Sequence, residues 1–175
     1  MIIRKTRPED LEAVMQIYKD GQIQMRESGN LEQWGDVHPP RALIENDIQI
    51  GKSYVCENIG NISNVSDTNG NDGSNLLAVF YFSIEEDPTY QKIDGKWLNN
   101  EPYGVVHRIA RKRDASAKGS GAFCINWCYE QYSNIRIDTH KDNTPMLVLL
   151  ERLGFKRCGI IWIANGDERV AFQKL

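Results

Sequence analysis

Hydrophobic and polar positions along the chain follow two different periods, and these divide the chain into strands and helices. Runs rich in β-branched and aromatic residues are typical of strands, and they occupy residues 2–5, 53–57, 75–84, 103–111, 134–139, 155–164 and 169–175. Apolar positions spaced three and four apart are typical of amphipathic helices, and they occupy residues 6–25, 41–50, 119–132 and 143–153. The pattern predicts an α/β fold with about four helices.

The order of these elements also indicates how the strands pair. The strand, helix and strand within residues 103–139 predict a parallel pair, because a connection through a helix returns the chain in the same direction. Asn165, Gly166 and Asp167 lie between the last two strands and predict an antiparallel hairpin. Gly21 is expected to end or bend the first helix.

Two segments between strands have the composition of loops. Residues 58–74 are dense in Asn, Gly, Ser and Asp, which predicts a long mobile hairpin insertion that carries no chemistry. Residues 85–101 contain turn signals together with aromatic side chains, so this segment is a candidate lining for a site. Residues 1–175 are otherwise expected to form a single domain.

Composition and charge exclude several classes of function. The 175 residues are 41% hydrophobic and 26% charged, which is typical of a globular domain. The chain contains neither a long apolar span nor a signal-peptide pattern, which predicts a cytoplasmic protein. The cysteines form no CxxC pair and have no histidine at zinc-finger spacing, so reduced thiols and no metal are expected; they are Cys56, Cys124, Cys128 and Cys158. A net charge of −3 gives no general attraction for nucleic acid.

The stretch DASAKGSGAF, residues 114–123, has the features of an anion site. A helix N-terminus presents unpaired N–H groups, and Gly119 and Gly121 would let a phosphate approach that backbone. Lys118 and the basic run 111–113 add positive charge. A flexible turn with solvated lysines is the alternative interpretation. The Walker pattern GxxxxGK[ST] and the dinucleotide pattern GxGxxG are both absent here, which disfavours classical ATP and NAD sites.

These residues resemble the GNAT superfamily of acetyl-CoA-dependent N-acetyltransferases. Residues 116–121, SAKGSG, are similar to the family signature Arg/Gln-x-x-Gly-x-Gly/Ala, although Ser116 replaces the usual Arg or Gln. Residues 106–110 resemble the family's fourth strand. Residues 143–155 resemble its second CoA-contacting motif, in which an Asn opens a helix that ends in Gly-Phe, and residues 3–11 resemble the common start of such proteins.

The resemblance implies a GNAT-like, mostly antiparallel sheet in which strands four and five are parallel and splayed apart. It implies acetyl-CoA as co-substrate and direct transfer of the acetyl group, in a ternary complex, to a primary amine of a small molecule or peptide. The implied cofactor-binding residues are Ile109, Ala110, Arg111, Ser116, Ala117, Lys118, Gly119, Ser120, Gly121, Ala122, Asn143 and Met146. A plain helix N-cap is the alternative role of Asn143.

Acetyl transfer to an alkylammonium requires a base near the fourth strand. His107 is the leading candidate, because histidine titrates near neutrality and strand alternation would place it on the face of Ile109 and Val105. A hydrogen-bonded or substrate-orienting histidine is the alternative. Asp138 and His140 end the fifth strand, where either is placed to assist, with a structural cap as the other role for Asp138.

The family's usual general acid is missing from this chain. Many relatives place a tyrosine in the helix before Gly-Phe, and Leu150 stands at that position. A thiol is a tolerable leaving group without full protonation, so the reaction is expected to survive this change. Tyr129 and Tyr132 are alternative acids.

The acceptor is expected to be a cationic amine bound by acidic and aromatic side chains. The candidates for substrate binding are Trp34, Glu85, Tyr90 and Trp97, with packed aromatics and solvated acids as the alternative. Two other functions remain open, a catalytically weak acyl-CoA-binding sensor and a module that binds a different phosphate. A homodimer that pairs through the aromatic C-terminal strands is a further expectation, with core packing as the equally good alternative explanation of Trp162 and Phe172.

Overall fold

The computed structural model describes residues 1–59 and 75–175. Most of the predicted hairpin insertion at 58–74 therefore lies outside the described residues. Within the described parts, no helix combines the length and apolar character needed to cross a membrane.

The described residues form one mixed sheet with helices on both faces. In chain order the elements are β1 (Ile2–Lys5), α1 (Leu11–Glu27), α2 (Arg41–Gln49), β2 (Ser53–Glu57), β3 (Leu76–Ile84), β4 (Ile93–Gly95), β5 (Gly104–Arg111), α3 (Ser120–Gln131), β6 (Ile135–Thr139), α4 (Thr144–Arg152), β7 (Lys156–Trp162) and β8 (Glu168–Lys174). The strand order across the sheet is β1-β2-β3-β5-β6-β8-β7-β4. The prediction of an α/β protein with four helices is confirmed.

The one parallel pair lies in the middle of the described sheet. β5 and β6 pair through Gly104 with Ile135 and through Val105 with Arg136, while the other recorded strand pairs are antiparallel. Both strands continue beyond these contacts, and the clefts described below open where they separate. This is the splayed pair expected for strands four and five. The short strand β4 was not predicted, so the predicted fourth strand is β5.

Two apolar clusters hold the helices against opposite faces of the sheet. One joins Phe80 and Ile137 of the sheet to α3 and α4, where Cys124 and Leu150 are fully buried. The other packs α1 and α2 against β2 and β3. Burial of these apolar side chains stabilises the layers and fixes the ends of β5 and α3 relative to α4.

Gly21 does not end α1, which continues to Glu27. A Cβ at this position would lie 2.9 Å from Trp34 Cζ3 and 3.2 Å from the Ala110 Cβ. The glycine therefore permits close packing of the helix against β5 and the following loop. The expectation that it ends the helix is wrong, because tertiary packing rather than a turn requires a small residue here.

A β-bulge in β5 changes which face its side chains occupy. Val79 pairs with Ala110 and Tyr81 pairs with His107, so two residues of β5 stand opposite Phe80 alone. Arg108 adopts a φ of 51°, a left-handed conformation that is unusual for a residue other than glycine. Because of this extra residue, the side chains of β5 after the bulge lie on the opposite face from the one that simple alternation predicts.

After the bulge, Ile109 packs in the same cluster as Val106, whereas Val105 lies in a cluster on the other face. The sequence-based expectation that His107 shares the face of Ile109 is therefore wrong. His107 shares the face of Val105, where its ring lies near Tyr81 and Tyr90.

Candidate active site

A groove of about 550 Å³ runs between β5 and the first turns of α3 and α4. It brings together seven of the predicted cofactor-binding residues, namely Ile109, Ala110, Arg111, Gly119, Gly121, Asn143 and Met146, and Ala122 makes an eighth. Helix α1 supplies part of the other wall through Gln24 and Met25. The predicted glycine loop and the predicted Asn-containing motif thus face one cavity.

The loop before α3 is held in place by its own polar side chains. Asp114 accepts hydrogen bonds from both the amide and the hydroxyl of Ser116, and the Ser120 hydroxyl donates to the Ala117 carbonyl at 2.7 Å. Gly119 then adopts a φ of 86°, and α3 begins at Ser120. The first amides of a helix have no partner within it, so this loop directs N–H groups toward the groove.

The fold requires a glycine at position 119 of the loop but not at position 121. A Cβ at Gly121 would meet Leu149 Cδ2 at 3.7 Å, an ordinary contact, and a Cβ at Gly119 would meet nothing within 4 Å. Gly119 is required by its positive φ, but Gly121 has helical geometry and leaves open space above the helix N-terminus. That space fits an anion approaching the backbone, as a CoA pyrophosphate would.

Four of the predicted cofactor-binding residues are not part of the groove lining. Ala117 and Ser120 are fully buried and support the loop from beneath, while Ser116 and Lys118 are exposed beside it. The predicted basic cluster is also partly engaged elsewhere, because Arg113 pairs with Glu27. Arg152, on the last turn of α4, lines the groove instead.

Asn143 joins the groove to a second cleft. Its side-chain oxygen accepts a hydrogen bond from the Met146 amide at 3.2 Å, which makes it the N-cap of α4. Its side-chain nitrogen donates to Gln33 Oε1 at 2.9 Å, which ties α4 to the loop after α1. The N-cap role is thus observed, and contact with a cofactor stays a prediction.

The second cleft, of about 790 Å³, contains the predicted base. Met25, Ile109, Asn143 and Met146 line both cavities, so the two meet at the bulged part of β5. Its lining includes six carboxylates and two arginines: Glu32, Asp47, Glu85, Asp87, Asp138 and Asp167, with Arg108 and Arg169. This excess of negative charge favours a cationic ligand.

His107 lies between two carboxylates in this cleft. Its Nε2 is 2.7 Å from Asp87 Oδ2, and its Nδ1 is 3.7 Å from Asp138 Oδ1. Asp87 also accepts hydrogen bonds from the Thr89 amide and hydroxyl, and Asp138 accepts one from the Tyr90 hydroxyl at 2.8 Å. Both carboxylates therefore have fixed positions, and the structure brings His107 and Asp138 together as the sequence predicted.

The ionisation of Asp87 decides which histidine nitrogen is free. Burial alone would raise the pKa of Asp87, but hydrogen bonds from His107 and Thr89 lower it to about 2. Asp87 is thus a carboxylate at neutral pH and can only accept, so Nε2 of His107 carries a proton. In the neutral imidazole the lone pair is then on Nδ1, the nitrogen that faces Asp138.

Arg108, at the bulge, is fully engaged within the protein. Its guanidinium reaches Asp47 Oδ2 at 2.7 Å and stacks over the Tyr81 ring, 4.6 Å from the ring centroid. This pair joins α2 to the sheet and holds the left-handed residue in place. The interaction leaves Arg108 little capacity to bind a ligand.

The four predicted substrate-binding residues divide between two pockets. Trp34 and Glu85 line the cleft that contains His107, although Glu85 also contacts Lys52 and the Tyr81 hydroxyl. Tyr90 and Trp97 line a different pocket of about 480 Å³. Tyr90 still reaches the site through its hydroxyl, which donates to Asp138, whereas Trp97 is buried with its Nε1 donating to the Tyr90 carbonyl.

The alternative acids and His140 lie outside both cavities. Leu150 is fully buried among apolar side chains of α3 and α4. Tyr129 packs under Lys174, and Tyr132 lines a separate surface pocket. His140 is also absent from the lining of either cavity, and its Nδ1 accepts a hydrogen bond from the Asp142 amide. Among the described residues, Tyr81 is the tyrosine that lines the cleft, and burial, with Glu85, raises its pKa to about 12.

The four cysteines are free and buried. Burial raises the pKa of Cys128 above its usual range, so it is not a reactive thiolate. Residues 1–59 and 75–175 contain no group of three or more His, Cys, Asp or Glu side chains placed to hold a metal ion.

Comparison with solved structures relates this arrangement to one family. A GNAT-family acetyltransferase from Streptococcus agalactiae 2603 superposes with a TM-score of 0.82 at 26% identity, covering 99% of this chain and 94% of that one. This chain is a member of the GNAT superfamily. The predicted family and the predicted fold, including the parallel pair of β5 and β6, are therefore confirmed. The GNAT chain matches no protein-family model and no curated protein sequence, so its membership rests on structure.

More distant solved structures share the fold over nearly the whole chain. A ribosomal-protein-alanine N-acetyltransferase from Brucella melitensis has a TM-score of 0.62 at 15% identity, covering 100% of this chain and 99% of that one. A chain of the NatC complex bound to Gag peptide and CoA has a TM-score of 0.62 at 10% identity, covering 99% of this chain and 98% of that one. At these identities the likeness concerns the fold.

Proposed function

We propose that this GNAT protein is an N-acetyltransferase that uses acetyl-CoA as co-substrate and acts on the primary amine of a small molecule or peptide. The observation that carries the proposal is the meeting of the two cavities at β5. One has the glycine-rich helix N-terminus suited to a pyrophosphate, and the other has His107 between Asp87 and Asp138. A solved NatC structure that shares this fold is bound to CoA.

The residues around the groove fit the cofactor. The amides at the start of α3 would hold the pyrophosphate, with Arg152 nearby, and the backbone of Ile109 and Arg111 would pair with the pantetheine arm. Asn143 and Met146 stand where the groove enters the cleft. When bound, acetyl-CoA supplies an acetyl group activated as a thioester.

His107 is the proposed general base. An ammonium acceptor bound near Asp138 loses a proton to Nδ1 of His107, and the imidazolium that forms is stabilised by Asp87 on its other side. The freed amine nitrogen would bond to the acetyl carbon of the thioester while the bond from that carbon to sulfur breaks, and the second proton of the nitrogen would pass to solvent or to the departing thiolate, which gives an amide and a free thiol. No tyrosine stands at Leu150 to protonate the leaving sulfur, and its low basicity makes full protonation unnecessary.

Thiol release tests this function directly. Purified protein is incubated with acetyl-CoA and a panel of amines, and free thiol is measured. We expect turnover with at least one amine, and a His107→Ala variant should lose about 100-fold or more of it while still binding acetyl-CoA. His140→Ala is the matched control, since His140 lies outside both cavities, and it should keep wild-type activity.

The alternative is a catalytically weak acyl-CoA-binding sensor. It predicts acetyl-CoA binding without thiol release on any amine, and a His107→Ala variant that behaves like the wild type. The buried Leu150 is the feature that favours it, because one catalytic group of the family is missing.

Three further properties stay predictions for this GNAT protein: a single domain over residues 1–175, a cytoplasmic location and a homodimer. Light scattering at several protein concentrations tests the last of these.

A further inference from the structure

The cleft that contains His107 also contains an arginine that has no carboxylate of the described residues closer than 3.9 Å. The Arg169 side chain is only 5% exposed, and it lines the cleft. Among the described residues, the one carboxylate within 4.0 Å of it is Asp167, whose oxygen is 3.9 Å away and whose side chain is about half exposed. A second contact is a hydrogen bond from Nη1 to the Glu168 carbonyl at 3.0 Å.

Comparison with the other arginine of the cleft shows how unusual this is. Arg108 has a carboxylate oxygen at 2.7 Å and a tyrosine ring beneath it. Arg169 is more deeply buried, and none of the described residues gives it either contact. A buried guanidinium is costly unless charged hydrogen bonds replace its water, and a ligand carboxylate would supply two of them in a bidentate geometry.

The sheet places Arg169 beside the proposed catalytic groups. β6 and β8 are antiparallel neighbours, and Asp138 pairs with Ala171. Arg169 is two residues from Ala171 on the same face, so it is a diagonal neighbour of Asp138, with Cα atoms about 7–8 Å apart. His107 reaches the same point from β5, with its Nδ1 3.7 Å from Asp138.

Asp138 keeps one carboxylate oxygen that accepts no hydrogen bond from a described residue. The Tyr90 hydroxyl donates to Oδ1, and no described residue donates to Oδ2. Asp138 interacts with Arg169 through its charge more strongly than Asp167 does, but no hydrogen bond joins the two side chains, so among the described residues both keep unused hydrogen-bonding capacity in one cleft. A ligand with an amine and a carboxylate on the same carbon would pair with both at once.

We propose that the acceptor is a free amino acid, whose carboxylate binds Arg169 while its amine lies between Asp138 and His107. This inference rests on the proposed acetyltransferase function and narrows its substrate class. It separates this chain from proteins that modify peptides, because the amine of a peptide N-terminus has an amide carbonyl, not a carboxylate, on its neighbouring carbon.

Matched substrates test the proposal with the wild-type protein. The panel consists of the twenty common amino acids, the carboxamide of each, spermidine and a short peptide, with thiol release from acetyl-CoA as readout. We expect at least one amino acid to react, with a kcat/KM about 10- to 100-fold above that of its carboxamide, since one charged pair is lost in the amide. Equal rates for acid and amide, or turnover of spermidine or peptide alone, would overturn the proposal and leave the acetyltransferase function standing.

Variants of Arg169 identify the residue responsible. Arg169→Gln should lower kcat/KM for the amino acid about 10- to 100-fold and leave the carboxamide almost unaffected, so that the ratio of the two approaches one. Arg169→Lys should restore part of the ratio. Arg157→Gln, at an exposed position of β7, is the matched control and should keep the full ratio.

A merely structural role for Arg169 would give a different result. In that case Arg169→Gln would slow the acid and the amide equally, which would contradict the proposal. Absence of thiol release with every member of the panel, despite acetyl-CoA binding, would count against the proposed function itself and would remove the basis of this inference.

Discussion

At Gly121, folding stability and ligand binding are expected to favour different residues. It occupies the first turn of α3 with helical geometry, and a methyl group there would meet only Leu149, at 3.7 Å. The Gly121→Ala variant therefore adds a side chain that the folded protein accommodates. The same methyl group would project toward the space in which the proposed pyrophosphate approaches the amides.

Two opposite effects follow from this one substitution. Replacing glycine by alanine in a helix stabilises it by up to about 0.5–1 kcal/mol, and 1 kcal/mol shifts Tm by about 2–4 °C for a domain of this size. The loss of one charged hydrogen bond costs about 1.5–3 kcal/mol, which weakens binding about 10- to 100-fold. We therefore expect a more stable free protein that binds acetyl-CoA less tightly.

Thermal unfolding with and without ligand measures both effects in one experiment. At a concentration about 100 times the wild-type Kd, acetyl-CoA should stabilise the wild type by about 2.7 kcal/mol. If the variant binds about 30-fold more weakly, the same concentration stabilises it by about 0.9 kcal/mol. The ligand-induced rise in Tm should thus shrink by more than half, while Tm without ligand rises or stays constant.

A control variant separates stability from binding. Gly166 lies in the hairpin between β7 and β8 with a φ of 89°, so Gly166→Ala should lower Tm without ligand but keep the full rise with acetyl-CoA. The reasoning about the loop would be refuted if Gly121→Ala bound acetyl-CoA as tightly as the wild type, or if it destabilised the free protein.

Three further predictions follow from the packing and the buried charges. Asp87→Asn should cost about 2 kcal/mol of unfolding free energy at pH 7, because the folded pKa of about 2 lies below the unfolded value. Because the folded pKa of Asp87 is the lower one, the difference in unfolding free energy between variant and wild type should shrink as the pH falls from about 4 toward 2. A difference that stays constant in denaturant titrations over this range would contradict the prediction. Gly21→Ala should cost about 1–3 kcal/mol by forcing Trp34 aside, and unchanged Trp fluorescence and Tm would argue against that clash. Asp10→Asn should lower stability at pH 7 by about 1–3 kcal/mol, since this buried carboxylate pairs with an arginine at 2.6 Å; urea melts of both proteins measure the loss.

Local signals made part of the candidate site predictable from the sequence. Some features have sequence signals that lie within a few residues: a glycine with positive φ, a helix N-terminus, and an Asn that caps the next helix. The helix that connects the two parallel strands predicts their relative direction. Gly119, Gly121 and Asn143 are therefore predictable from the sequence, and they line one groove. Lys118 and Ser116 were predicted with them, but proximity along the chain did not make them part of the lining.

Features that depend on contacts between distant segments could not be predicted. The bulge at Arg108 is a feature of the pairing between β5 and β3, which the sequence of β5 alone does not show. Simple alternation of side chains along β5 therefore predicts, wrongly, that His107 and Ile109 lie on the same face. The pair of Asp87 with His107 joins a turn to a strand 20 positions away. Pro88 marks the start of a short helical turn, and this local signal predicts that Asp87 accepts a hydrogen bond within the turn. It does not predict that Asp87 also pairs with His107.

Thermal unfolding of the wild-type protein with saturating acetyl-CoA, and separately with ATP and with NAD, tests the central claim most directly. The account predicts that acetyl-CoA at about 100 times its Kd raises Tm by roughly 5–11 °C, while ATP and NAD at the same concentration leave it almost unchanged. No rise with millimolar acetyl-CoA, or an equal rise with all three ligands, would contradict the claim that the groove at the start of α3 is an acetyl-CoA site.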